Sequence, residues 1–328
     1  MSASPPKNPR RISRLRYRPT TRRDVDECMG LLPPWLGFSN EQRQALPRLW
    51  QQLVDEPSVI TAVIEDMALP AERIQGWGVT LILPKPQVAA LRLDLEPDGY
   101  LTRRVYQSLL DGSFRPMTDR EIGQENAAGQ LTMLIMHFSS RQYGPESSYG
   151  HSLIATANDT YRTFHDGYNL RAVYYETHAA DQYAAAASGF TRRPFANEPD
   201  LQALPPELRP AYFGLTREEA WKQMPGPPAR NSFEHQPPLF CFSASQRRLL
   251  WLALFDESDE ALMPILDVSV HGLKKLWRGI YERIEDRMPD FFGEGAGGDD
   301  GKRGPEKRRQ VMAYVRQRLE ELRPWTPG

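Results

Sequence analysis

The segment that most limits how this 328-residue chain can fold is 243–288, in which three successive stretches show helical apolar spacing. The third stretch carries its apolar residues at intervals typical of one buried helix face: Leu273, Leu276, Trp277, Ile280 and Ile284. Ser269 stands where it can cap this stretch, and the link before it is too short for anything but a tight turn. Two short helices joined in this way predict a helix-turn-helix.

The block DVSVHGLKKLWRGIYERI, residues 267–284, resembles the recognition-helix region of the LuxR-type helix-turn-helix family. The resemblance implies double-stranded DNA as a partner, with the last helix in the major groove. The groove-facing and phosphate-facing side chains would be His271, Lys274, Lys275 and Arg278. Asp267 stands where that family usually has glycine, although aspartate tolerates a left-handed backbone better than most residues. The alternative is an ordinary amphipathic hairpin whose cationic side chains are simply solvated.

Whole-chain charge points to no particular partner, because the formal net charge is −1. Eight basic residues and no acidic one lie between Lys7 and Arg23, which suits either phosphate contacts or a solvated arm. The two cysteines, Cys28 and Cys241, lie far apart and predict a reducing compartment. Without an apolar run that would serve as a signal peptide or a membrane span, the sequence predicts a cytoplasmic protein with no membrane partner.

The N-terminal part of the chain predicts an α/β fold. Apolar and β-branched runs predict strands at 59–65, 74–83, 130–138 and 170–176, and helices are predicted around them. Residues 84–129 form a long insertion in which we expect one helix, near 100–110, and otherwise loop. This order of elements predicts helices packed around a mixed sheet.

The phrase LRAVYYETHAADQYAAAASGFTRRPF, residues 170–195, and this element order resemble the GNAT acetyltransferase family. The resemblance implies acetyl-CoA as cofactor, with its pyrophosphate held by a loop at a helix N-terminus. The residues implied in coenzyme binding are Arg141, Gly144, Ser147, Ser148 and Gly150. Two departures stand against catalysis. Glu146 replaces a small residue in the loop, and Ala185 replaces the tyrosine that serves the family as general acid, Tyr183 being the nearest.

Other candidate sites rest on single residues. A metal site is conceivable where histidines fall near the ends of central elements, but they lack closely spaced partner ligands, so we expect no metal: His137, His151, His165 and His178. Glu176 and His178 form either an acid/base pair or a surface pair at a strand edge, and we expect the latter.

The predicted organisation follows from these segments. The expected units are a disordered leader (1–13), a GNAT-like α/β domain (14–197), a proline-rich linker (198–238), a helix-turn-helix domain (239–290), a flexible link (291–304) and an amphipathic helix (305–328). The main functional hypothesis is a homodimeric transcriptional regulator whose GNAT-like domain, its chemistry lost or altered, serves either to sense a small-molecule or acyl-CoA ligand or to dimerise. The alternatives are an acyl-CoA-dependent N-acetyltransferase with an appended DNA-binding domain, and a protein–protein adaptor.

Overall fold

The structure is a computed structural model that describes residues 14–142, 147–255, 258–293 and 300–327, and the side chains from 305 onward in the last range. The predicted leader, Gly144 and residues 294–299 of the predicted flexible link lie outside the described residues. None of the described helices is both long and apolar enough to cross a membrane.

In the ranges that the structure describes, seven strands form one sheet in the order β1-β2-β3-β4-β5-β7-β6. They are β1 (Leu15–Pro19), β2 (Val59–Asp66), β3 (Ile74–Leu83), β4 (Leu131–Ser140), β5 (Leu170–His178), β6 (Thr191–Arg193) and β7 (Pro210–Thr216). All neighbouring strands are antiparallel except β4 and β5, which are parallel. The mixed sheet expected from the sequence is confirmed.

Ten α-helices accompany the sheet strands in the described part of the chain. They are α1 (Val25–Met29), α2 (Asn40–Leu53), α3 (Lys85–Ala90), α4 (Leu101–Leu110), α5 (Asp119–Ala127), α6 (Ser148–His165), α7 (Gln182–Ala187), α8 (Glu198–Leu201), α9 (Arg217–Lys222) and α10 (Pro228–Asn231). Helices α1 to α4 share an apolar core with one face of the sheet, and α6, α7, α9 and α10 share a core with the other. The insertion therefore contains three helices where the sequence predicted one. The third, α5, begins with a capping box between Thr118 and Glu121.

The predicted linker 198–238 is wrong in its central part, because β7 lies there and pairs with both β5 and β6. Every residue of β7 from Pro210 to Leu215 is buried. The prolines around it suggest a connector, but proline is tolerated as the first residue of a strand, which is where Pro210 stands. The α/β unit thus extends past the expected boundary at 197.

Four further α-helices follow among the described residues: α11 (Ala244–Ala253), α12 (Asp259–Leu266), α13 (Val270–Arg287) and α14 (Asp300–Gln317). They enclose an apolar core of their own, which includes Leu249, Trp277, Ile280 and Val315. The turn between α12 and α13 passes through Asp267 in a left-handed conformation (φ 52°), as expected for its position. Ser269 caps α13 by accepting the backbone N–H of Gly272.

The helical unit is packed directly against the α/β unit. The rings of Trp251 and Phe164 lie 4.8 Å apart between centroids, and Arg247 pairs with Asp119 at 2.6 Å. The chain after α14 continues the contact, since Arg323 donates to the backbone carbonyls of Asp166 and Thr163 at 2.9 and 2.7 Å. The predicted final helix 305–328 is wrong at its end: α14 stops at Gln317, and the residues after it serve this contact instead.

Candidate functional site

The two parallel strands at the centre of the sheet diverge at their carboxyl ends. Strands β4 and β5 pair only from Leu131 opposite Leu170 to Ile135 opposite Tyr175. Beyond that point β4 remains with β3 as far as Ser140, and β5 remains with β7 as far as His178. In open α/β sheets, ligands bind in the crevice outside the carboxyl ends of such strands. The divergence therefore marks the candidate site.

A bulge in β4 accompanies the divergence. Val79 lies opposite His137 while Thr80 lies opposite Ile135, so Met136 is an extra residue. The carbonyl of Met136 accepts the hydroxyl of Thr102 at 2.9 Å, which brings the first turn of α4 to one side of the gap.

An open cleft of about 830 Å³ lies at the gap. Its walls come from the ends of β4 and β5, from α6 and α7, and from residues 30–35, which follow α1. This volume lies in the range of sites for small molecules and cofactors. Two buried polar atoms at its edge, Ser140 Oγ and His178 Nδ1, have no hydrogen-bond partner in the described part of the chain. Because buried polar atoms are normally paired, a ligand that bonded them would be stabilised.

Two of the cleft histidines are structural. His137 contacts the Tyr106 hydroxyl with Nε2 (3.1 Å) and the Ser139 hydroxyl with Nδ1 (3.4 Å). His165 contacts the Thr80 hydroxyl with Nε2 (2.9 Å) and the Tyr161 carbonyl with Nδ1 (2.7 Å). Burial lowers the pKa of His137 to about 3 and that of His165 to about 4, so both rings are neutral near pH 7.

The third cleft histidine, His178, has a different environment. Its Nε2 lies 3.0 Å from Oδ2 of Asp181, three residues later, and its Nδ1 is the unpartnered atom named above. Glu176 is not its acid/base partner. Glu176 is also not at the surface as expected, because it is completely buried and accepts the backbone N–H groups of Leu101 and Thr102.

The residues expected to bind coenzyme are only partly brought together. Arg141 lines the cleft, but its guanidinium also lies 3.4 Å from carboxylates of both Glu27 and Glu72. Ser147, Ser148 and Gly150 form the start of α6, and the N–H of Gly150 is already donated to the Ser147 hydroxyl at 2.9 Å. These three residues do not line the cleft itself.

The position at which the resemblance implies a tyrosine lies on α7. Ala185 lines the cleft, whereas Tyr183 is 79% exposed and lies outside it. Two other tyrosines, Tyr161 and Tyr175, form part of the cleft wall. Burial raises the pKa of Tyr161 well above its ordinary value. Asp181 was not predicted as a site residue, although its spacing from His178 was a usable signal. Residues 30–35 were not predicted either, and their sequence carried no such signal.

Among the described residues, no group of three potential metal ligands occurs. His151 is exposed on α6, away from the cleft that the other three histidines line.

The residues predicted to contact DNA lie on one helix and face outward. All four are exposed on α13: His271, Lys274, Lys275 and Arg278. The opposite face of α13 is buried through Leu273, Trp277, Ile280 and Ile284. Within the described ranges, none of the cationic side chains of Lys274, Lys275 and Arg278 forms an ion pair.

Comparison with known proteins gives weak similarities. No protein-family model matches the chain, and no curated protein matches it. Among solved structures, spermidine/spermine N-acetyltransferase SpeG from Vibrio cholerae is 12% identical, covering 63% of this chain and 96% of that chain with a TM-score of 0.33. A chain of the NatC complex bound to Gag peptide and CoA is 14% identical, covering 62% and 98%, also with a TM-score of 0.33. Aminoglycoside acetyltransferase AAC(6')-Ib, in complex with coenzyme A and kanamycin, is 12% identical, covering 64% and 98% with a TM-score of 0.30. Similarity at these scores is too loose to assign a fold or an activity.

Proposed function

We propose that this protein is an acyl-CoA-dependent N-acyltransferase with acetyl-CoA as donor. The observation that carries the proposal is the divergence of the parallel strands β4 and β5 beside a cleft of about 830 Å³. An elongated thioester fits such a gap because the part of β4 beyond Ile135 has no strand partner on its β5 side. An extended ligand can pair with an open strand edge through main-chain hydrogen bonds.

The element that follows β4 supports the same ligand. Helix α6 is 18 residues long and begins soon after β4, so its N-terminus lies at the same end of the sheet as the gap. Helix N-termini favour anions such as a pyrophosphate. The first four N–H groups of a helix have no partner within the helix, and one of them here, that of Gly150, donates to the Ser147 hydroxyl.

Calorimetric titration with acetyl-CoA, CoA and, as a control, ATP tests this proposal. We expect binding of acetyl-CoA and CoA, and an increase in the free energy of unfolding of about 2.7 kcal/mol at a ligand concentration 100 times Kd. Release of free thiol in the presence of amines would then show transfer. Absence of both binding and thiol release would overturn the proposal.

A second candidate function, DNA binding, is favoured by the exposed cationic face of α13. Lys274, Lys275 and Arg278 project outward without carboxylate partners in the described structure, and such side chains bind phosphates and base edges. The two functions are compatible, because the cleft and α13 share no residues. In this case the protein would be a regulator with an acyl-CoA-binding domain. Homodimerisation stays a prediction, which light scattering in solution would test.

A further inference from the structure

We infer that the cleft accepts a primary amine carried on an apolar group, and that His178, oriented by Asp181, removes the proton from this amine. The inference rests on the proposed function and names the acceptor class and the base for the same cleft. Two observations carry it. The cleft wall beside His178 is apolar, and Nδ1 of His178 is the one ring nitrogen of the cleft histidines without a hydrogen-bond partner in the described structure.

The wall beside His178 is apolar. Residues 30–35 (Gly-Leu-Leu-Pro-Pro-Trp) line the cleft, and the ring of Trp35 lies 6.4 Å from that of His178 between centroids. Among the described lining residues, Asp181 is the only acidic one, and it already pairs with His178. A polyamine would therefore bring charges that the described wall cannot neutralise. An aliphatic or aromatic group would instead bury apolar area, at about 25 cal/mol per Å².

The contact with Asp181 determines which nitrogen of His178 can act as a base. A carboxylate oxygen 3.0 Å from Nε2 favours the tautomer in which Nε2 carries the hydrogen, so Nδ1 keeps its lone pair. Nδ1 is buried and without a partner in the described structure. His137 and His165 are excluded from this role because both nitrogens of each ring already contact protein groups.

The step balances as a simple acyl transfer. The ammonium form of the acceptor gives one proton to His178 Nδ1, and the neutral amine nitrogen then attacks the thioester carbonyl carbon. A C–N bond forms, the C–S bond breaks, and the thiolate leaves with the electron pair. The second N–H proton passes to this thiolate, which gives free CoA, and His178 returns its proton to solvent.

Steady-state kinetics with acetyl-CoA and three acceptors test the inference: phenethylamine, tryptamine and spermidine. We expect kcat/KM to be at least tenfold higher for either aromatic amine than for spermidine. His178→Gln should lower kcat by a factor of about 100 to 10,000, the usual contribution of a positioned base, while Kd for acetyl-CoA stays unchanged. The matched control is His151→Gln, which removes an exposed histidine of α6 outside the cleft and should behave as wild type.

The pH profile separates a base from a merely structural residue. A base that takes part in the step makes kcat depend on pH, so the fall of kcat with decreasing pH, called the acid limb here, should be absent from His178→Gln. Asp181 is a positioning residue, so Asp181→Asn should lower kcat less than His178→Gln does and should shift the limb. The other titratable groups lining the cleft are Arg141, Tyr161, Tyr175, His137 and His165, and all of them are retained in these variants.

The outcomes distinguish the two proposals. If wild type neither binds acetyl-CoA nor acylates any amine, the proposed function fails and this inference fails with it. If wild type is active but prefers spermidine, or if folded His178→Gln keeps the wild-type acid limb, only this inference is overturned. Should His178→Gln not fold, an Asp181→Asn variant with an unchanged pH profile would overturn it in the same way.

Discussion

The backbone N–H of Thr102 donates to a carboxylate oxygen of Glu176 at 2.7 Å, across 74 positions of sequence. The N–H of Leu101 donates to the other oxygen at 2.8 Å. Since the Thr102 hydroxyl also binds the Met136 carbonyl, the first turn of α4 joins β4 and β5 just where they separate. The insertion 84–129, through α4, therefore holds β4 and β5 in place where they separate, and the cleft between them stays open.

Replacement of Glu176 by glutamine should remove a pH dependence of stability. Burial raises the pKa of Glu176 from 4.5 to about 7, although the two N–H donors favour the ionised form. Between these pH values the folded carboxyl keeps a proton that the unfolded chain has lost, so folding stability falls as pH rises. Relative to Glu176→Gln, wild type should lose about 3 kcal/mol between pH 4.5 and 7.5. Urea unfolding of both proteins measures this difference, and parallel pH curves would contradict it.

A large side chain in the cleft should block the donor. Ala157 of α6 lines the cleft, whereas Ala155, two residues earlier, is exposed and does not. Ala157→Trp should weaken acetyl-CoA binding at least tenfold by calorimetry, because the indole would occupy part of the cleft. Ala155→Trp places the same group on the same helix and should leave Kd within twofold. Equal affinities for the two variants would place the donor elsewhere.

Removal of two cations from α13 should weaken DNA binding without unfolding the protein. Lys274→Ala with Arg278→Ala should raise Kd for a duplex of random sequence at least tenfold. The slope of log affinity against log salt concentration should become shallower by about 1 for each phosphate that is no longer neutralised. Both positions are exposed, so the free energy of unfolding should change by less than about 0.5 kcal/mol.

Arg120→Ala with Lys222→Ala removes two exposed cations elsewhere on the surface and serves as the control for this variant. Electrophoretic mobility shifts measure binding of both double variants to the same duplex. Shifts that are identical for the two would exclude α13 as the DNA-binding surface.

The close approach at Gly167 should make it intolerant of any side chain. Its backbone has φ +88°, and an added Cβ would lie 2.5 Å from the backbone nitrogen of Glu320, in the segment after α14. Gly112 has a similar φ of +75° but nothing within 4 Å, so Gly112→Ala should cost only the left-handed strain of about 1–2 kcal/mol. Gly167→Ala should cost at least about 3 kcal/mol, since strain and overlap combine. Equal losses on urea unfolding would show that the C-terminal segment packs loosely here.

Local sequence patterns predicted an element correctly where residues within it or next to it determine its conformation. The sequence predicted a strand at 130–138, and the structure has β4 at Leu131–Ser140. It also predicted the start of α13 correctly, because Ser269 caps the helix from within four residues. By contrast, β7 was missed because local proline content suggests a connector, while its strand state depends on pairing with β5 and β6.

The site shows the same division. The sequence marked His178 and the absence of a tyrosine at Ala185, but it paired His178 with Glu176. In the structure, Glu176 instead accepts backbone N–H groups of α4, and His178 contacts Asp181. Which partner a buried carboxylate takes depends on the backbone donors that the fold brings to it, and those of α4 are distant in sequence.

The sequence by itself therefore determined strands β2 to β5, the apolar and cationic faces of α13, and His178 and Ala185 as residues of interest in the cleft. The tertiary structure decided where β4 and β5 separate, which cleft histidine keeps an unpaired nitrogen and how the C-terminal helices pack on the sheet. The physical reason is that periodicity and capping act over a few residues, whereas strand divergence and buried hydrogen bonds depend on groups brought together from far along the chain.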